Sequence, residues 1–385
     1  MRITGVTPQS RLPITVVVED GLISAIEHGV NNPDIGSEDL YICPGMIDMM
    51  VPGYVGANFA DPELTEGDIE KVVRAVYAHG TTHIYPLCIT AARQDYSGFL
   101  STINRFAENS PLAKSIAGIH VEGPFISSED GPRGCHVEEH TRNPDIEEFK
   151  QWLKVAGSRI AIITVAPELD GALDFIRYAR QAGVKVAIGH SDPTPERIND
   201  AVLAGVDIST HLGNGAHGLI HRFDNYIFRQ LADDRLWAGV ICDGYHLPDS
   251  NLRIWFRAKG WHRLVMVSDV VPEAGQTPGV YQRSDGSEVR VHPDGRITPN
   301  DNSGNLAGAG HLLDRGVAKA LTIGDLNLAQ CLEMATVGPA TYMGLRHLGT
   351  LAPGKEASLF LFDRDIGDTL NVRHTVLAGE VVYST

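Results

Sequence analysis

The chain is poor in cysteine, in basic charge and in long apolar runs, and each shortage excludes something. Its five cysteines, Cys43, Cys88, Cys135, Cys242 and Cys331, are scattered, odd in number and never spaced as CxxC. They point to reduced thiols rather than a disulfide framework. Basic residues number 32 against 48 acidic ones, a formal charge of -16, so no surface for a polyanion such as nucleic acid is expected. No apolar stretch is long enough to span a bilayer, and the first residues lack the apolar core of a signal peptide, so a cytoplasmic protein is expected.

What remains is an ordinary globular composition, 43% hydrophobic and 21% charged, over 385 residues, enough for one large domain and a smaller one. Both ends read as strands. Ile14–Val18 and Leu22–Ile26 flank Asp20-Gly21, a hairpin signal, and Ala357–Phe362 precedes Thr375–Tyr383 with a Gly379-Glu380 turn. A small β-sandwich domain built from residues 1–43 and 346–385 is expected, two unrelated hairpins being the alternative. Between them, short apolar runs at 42–49, 82–88, 115–121, 160–165, 184–188, 206–210, 238–242 and 264–267 alternate with helical periodicity. That alternation means βαβ units, and eight strands favour a closed (β/α)8 barrel over residues 44–345, although the count alone does not exclude an open sheet. Residues 280–298 carry Asp285-Gly286 and Asp294-Gly295 and predict a β-hairpin insertion. Helices are expected over 311–321 and 326–336, the latter capped by Asp325.

Four of the apolar runs end in polar residues: His120-Val-Glu122, Gly189-His190, Thr210-His211 and Ser268-Asp269. In a parallel barrel those ends share one mouth, where active sites lie. A carboxylate and two imidazoles leave a divalent ion an open position for water, and a nearby Asp can move the proton of a hydrolytic reaction. A lone His after a strand is most often structural, and Asp269 alone could be a helix cap. Glu122, His190 and His211 together read as metal ligands, with Asp269 as general base and acid. Zinc is the default for this donor set, and iron, cobalt or manganese also fit. His120, inside its strand, reads as a core group or a support behind the ligands. Gly304 to Gly308 reads equally as a turn or as a loop lining a pocket.

The ordered motifs HVEGPF, GHSDPT, THLGNG, Asp243-Gly-Tyr-His246, VSDVVPEAG and NLAGAG, with Pro44 to Asp48 entering the first barrel strand, resemble the N-acetylglucosamine-6-phosphate deacetylases of the amidohydrolase superfamily over essentially the whole chain. The resemblance implies a cytoplasmic hydrolase with one divalent ion per subunit that splits the acetamide of an amino sugar phosphate, a metal-activated water being the nucleophile. It implies metal ligation by Glu122, His190 and His211, acid/base work by Asp269, and a catalytic contact of His136 near the acetamide. It places Cys135, His136, Asn214, Gly215, Arg222 and His246 on the sugar and phosphate, and Leu306, Ala307 and Gly308 on the acetyl side. Arg222 would serve a neighbouring subunit, hence a homodimer. Two features depart from the pattern: Met50 and Pro52 stand where the superfamily's first strand has His-x-His, and strand four lacks a metal-bridging Lys. Both imply a single metal. The competing readings are a related amidohydrolase for another N-acyl or cyclic amide, and a non-catalytic sugar-phosphate sensor.

Overall fold

Eight short parallel strands carry the site, and each is an apolar, largely buried run: β1 Met46–Val51, β2 Thr81–Cys88, β3 Ile119–Glu122, β4 Ile160–Val165, β5 Lys185–Ile188, β6 Ile208–Ser209, β7 Trp237–Val240 and β8 Leu264–Met266. The computed structural model describes residues 1–283, 286–301 and 305–385, so Asp285 and Gly304 lie outside the described residues. The strands follow one another in chain order across one sheet. Hydrogen bonds from the segment after β8 to β1 draw its two edges together. Asp269 N–H donates to the Met50 carbonyl at 2.9 Å, Gly53 N–H to Val270 at 3.1 Å, and Ser268 N–H to the Asp48 carboxylate at 3.2 Å. The result is the expected α/β barrel.

The intervening helices form where caps and apolar faces coincide. Thr65 and Asp68 make a capping box for Glu66–Tyr77, whose Ile69, Val72, Val73 and Val76 are buried. Asp145 caps Ile146–Val155, and Thr194 with Pro195 in the first turn starts Pro195–Ala204. Among the described residues, no helix is long and apolar enough to cross a membrane.

The termini share one seven-stranded sheet, in the order Glu380–Ser384, Val372–Leu377, Leu359–Asp363, Ile35–Pro44, Arg2–Val6, Pro13–Glu19, Leu22–His28. Asp20 and Gly21, with φ of 50° and 78°, turn the last hairpin. The sheet curls until Gly21 accepts a bond from Ala357 N–H at 2.9 Å, enclosing Ile3, Val16, Ile42, Leu359 and Leu361. The two layers are thus halves of one continuous sheet.

Three local expectations change. The run 42–49 is not one strand: Ile42 and Cys43 end a strand of the terminal sheet, and Gly45 passes the chain into β1 where any side chain would overlap Thr82. The insertion has three antiparallel strands, Gly279–Gln282, Glu288–Val291 and Ile297–Pro299, because Asp294-Gly295 turns the chain a second time. Asp325 caps nothing. Asn327 and Gln330 form the capping box of a shorter helix, Leu328–Glu333, while Asp325 pairs with Arg253 and Arg257 at 3.1 and 2.8 Å. The preceding helix starts at Leu313.

Phe125, three residues past Glu122, stacks on Trp152 with ring centroids 5.3 Å apart, and Trp152 stacks on Tyr96 at 4.3 Å. This fully buried pile anchors the loop that leaves β3. Trp152→Ala should cost about 3–5 kcal/mol in denaturant unfolding, the range for deleting a buried aromatic ring. A loss below about 1 kcal/mol would show that the pile is not what anchors this loop.

Candidate metal centre

The mouth of the barrel gathers its polar residues on strained backbone. Glu122 is the last residue of β3, while His190, His211 and Asp269 follow β5, β6 and β8. These last three have φ of 50°, 24° and 53°, a region that costs an L residue free energy unless its surroundings impose it. Here they do. Ser127 N–H donates to the His190 carbonyl at 2.9 Å, Asn214 N–H to the His211 carbonyl at 3.0 Å, and Asp269 is held by Met50. His190 and His211 turn toward Glu122, and Asp269 lies near enough to feel its charge.

There they meet. Glu122 Oε1 lies 3.5 Å from His190 Nε2 and 3.3 Å from His211 Nε2, and the two Nε2 atoms are 3.0 Å apart. His190 Nδ1 sits 2.9 Å from the Pro132 carbonyl, which can only accept, so Nδ1 carries the proton and Nε2 presents a lone pair. Glu122 Oε1 is buried with no hydrogen-bond partner among the described residues. Lone pairs crowded this closely, away from water, require a cation, so the donor set fits a divalent metal. Burial alone would raise the Glu122 carboxyl, but His190 and His211 outweigh it and hold the group well below its usual range. Burial would lower His211, and Glu122 instead lifts it to about 9. The pocket favours positive charge beside Glu122.

His136 joins the same cluster, its Nε2 lying 3.2 Å from His190 Nε2 and 3.7 Å from Glu122 Oε2. Its ligand atom falls within 4.8 Å of those of Glu122 and His190. Its tautomer differs from that of His190. Thr90 offers both its N–H, at 3.4 Å, and its hydroxyl, at 2.8 Å, to Nδ1, so Nε2 carries the proton and faces the site as a donor. Burial and the neighbouring His190 push this imidazole down to about 3, which keeps it neutral. Asp269 moves the other way, raised by burial and by the charge of Glu122.

The remaining candidates fall into two groups. Gly134 and Gly215 flank the His190 ring: a Cβ would come within 3.1 Å of its Cε1 at the first position and 2.8 Å of its Nδ1 at the second. Asn214 donates its amide to the His211 carbonyl at 3.1 Å. Asp243 accepts from the N–H groups of Tyr245 and His246 and holds His246 Nδ1 at 2.7 Å, and the charge of His246 bears on Asp269. Ala307 takes a bond from Arg283 at 2.7 Å, Gly308 packs on Val271 where a Cβ would overlap it, and half-buried Leu306 adjoins them. Cys135 is exposed at the rim. Arg222 stands apart, exposed, with its guanidinium 5.3 Å over Phe223. Met50 and Pro52 are buried on β1 and just after it; the Met50 carbonyl accepts from Asp269 N–H and the Ser268 hydroxyl, and its N–H donates to the Asp48 carboxylate at 3.2 Å.

Thr90 and the Pro132 carbonyl belong to the site but were not among the residues singled out from the sequence. Thr90 follows β2 by two residues, the same offset as His190 from β5, so the strand-end rule contained a signal for it. A backbone carbonyl leaves none.

Residues 41–382 match the amidohydrolase family. The N-acetylglucosamine-6-phosphate deacetylase of Bos taurus is 33% identical over 89% of this chain and 83% of its own length. The N-acetylgalactosamine-6-phosphate deacetylase of Escherichia coli O157:H7 is 30% identical over 90% and 89%. The crystal structure of N-acetyl-D-glucosamine-6-phosphate deacetylase from Mycobacterium smegmatis superposes with a TM-score of 0.89 at 27% identity, covering all of both chains. With strand-end donors of this kind across a barrel of this order, the chain belongs to the amidohydrolase family, within its N-acetylglucosamine-6-phosphate deacetylase group.

Proposed function

We propose that this protein hydrolyses the acetamide of N-acetylglucosamine-6-phosphate, giving glucosamine-6-phosphate and acetate. The observation that carries this reading is the buried Glu122 Oε1, without a hydrogen-bond partner among the described residues and ringed by the Nε2 atoms of His190 and His211. These three residues would hold one divalent ion, zinc by donor type, and bound there it supplies Lewis-acid polarisation of water and carbonyl. Met50 and Pro52 offer no second set of ligands on the first strand.

The protein's own groups divide the remaining work. Asp269, next to the ligands and poorly solvated, accepts the proton of the attacking water and returns it to the departing amine. His136 donates its Nε2–H to the acetyl oxygen as negative charge develops there, and Thr90 keeps that proton on the correct nitrogen. Asn214, Gly215 and His246 receive the sugar and its phosphate, with Cys135 at the rim, while Leu306, Ala307 and Gly308 enclose the acetyl methyl. The relatives named for glucosamine and galactosamine substrates both match at about 30% identity, and the acetamide chemistry is common to the two.

Arg222 completes the phosphate site from a second subunit. Its loop and the helix that follows expose large apolar side chains: Leu219 is 94% exposed, Phe223 75% and, on the helix, Phe228 45%, a concentration that calls for a covering surface. A homodimer supplies that cover and brings one Arg222 to each neighbouring site. The setting is cytoplasmic, in keeping with five free cysteines.

Asp269→Asn should keep the bound metal and lose roughly 10²–10⁴-fold in kcat for acetate release. Near-normal turnover with metal retained removes Asp269 from its role. Dialysis against a strong chelator should abolish activity and one equivalent of zinc should restore it, so full activity in metal-depleted protein is the contrary result. Phe223→Asp should shift the species seen by light scattering from dimer to monomer and lower kcat/KM through the lost Arg222. A monomeric parent with full activity contradicts the shared site.

A further inference from the structure

Beneath the centre, a line of hydrogen bonds crosses the barrel interior from the sixth strand to the first. Thr210 Oγ1 lies 2.8 Å from Thr164 Oγ1, Thr164 Oγ1 lies 2.9 Å from His120 Nε2, and His120 Nδ1 lies 3.0 Å from the Met49 carbonyl. Every member is buried. The Met49 carbonyl can only accept, so His120 Nδ1 bears a proton. Both threonine hydroxyls lie within hydrogen-bond distance of a partner in the line, which runs from β6 through β4 and β3 to β1.

The line runs under the residue that precedes each imidazole ligand. Thr210 adjoins His211 directly. Gly189 adjoins His190, and a Cβ at that position would stand 2.6 Å from Thr210 Cβ and 2.8 Å from Thr164 Cγ2. The glycine of the Gly189-His190 motif is therefore the space through which the two threonines touch. Both imidazoles sit on left-handed backbone, which persists only where packing imposes it.

We propose that Thr210, Thr164 and His120 are positioning residues, a buried hydrogen-bond chain that locks the His190 and His211 strand ends in metal-binding geometry. This rests on the metal reading above. Thr164, on β4, contributes its hydroxyl to the support beneath the ligands.

The test uses the intact protein and does not require substrate. Thr164→Val removes the hydroxyl at nearly constant shape, and Thr164→Ser keeps it. Zinc affinity, measured by competition with a chromogenic chelator, should weaken about 10–100-fold in Thr164→Val, the range for losing a group that orients a metal ligand. It should stay at the parent value in Thr164→Ser, with the thermal midpoint of metal-free protein little changed in both. Parent-like zinc affinity in Thr164→Val overturns the proposal. So does a fallen metal-free midpoint with intact affinity, which is what a purely structural role predicts. Thr210→Val gives the same reading should Thr164→Val not accumulate folded. A parent chain that takes up no zinc overturns the metal reading itself, and that outcome is distinct from any difference between variants.

Discussion

Electron pairs forced together away from water are the constraint around which this molecule is arranged. A carboxylate oxygen and imidazole nitrogens within 3.5 Å of one another repel unless a cation or a proton lies among them. The free energy to hold them there comes from the rest of the barrel. Hydrogen bonds across the seam from β8 to β1, the aromatic pile under the loop after β3, and glycines that let loops press on His190 all restrict the same few ångströms. Strain at three left-handed residues is tolerated because the surrounding scaffold is stiff.

Tautomer control gives the histidines separate tasks. His190 bonds a carbonyl through Nδ1 and faces inward with a lone pair. His136 is approached at Nδ1 by the donors of Thr90 and faces inward with a proton. Chemically identical rings thus present a lone pair in one case and a proton in the other, through one partner residue each. Met50 and Pro52 bring no imidazole to the mouth, yet Met50 holds Asp269 there through its carbonyl.

Much of this was legible before any coordinates. Alternating apolar runs and helical periodicity gave the barrel, and Glu122, His190, His211 and Asp269 stood out as polar punctuation at strand ends. Boundaries were less legible for a physical reason. Ile42 to Met49 reads as one strand because both sheets bury it, and only the overlap that a side chain at Gly45 would cause shows where the chain changes sheet. Asp325 and Asn327 are equally good cap residues in sequence, and the choice fell to Asn327 because two arginines claim Asp325.

The sequence by itself determined which residues could ligate, donate or move a proton, and that they lie at one end of a βα repeat, since periodicity and residue chemistry are local properties. Only the tertiary structure decided which nitrogen of His190 and of His136 carries hydrogen, that Thr90 belongs to His136, and that Thr210, Thr164 and His120 form one line. Those are contacts between strands far apart in the chain, and nothing in a linear order of residues encodes who faces whom across a closed barrel.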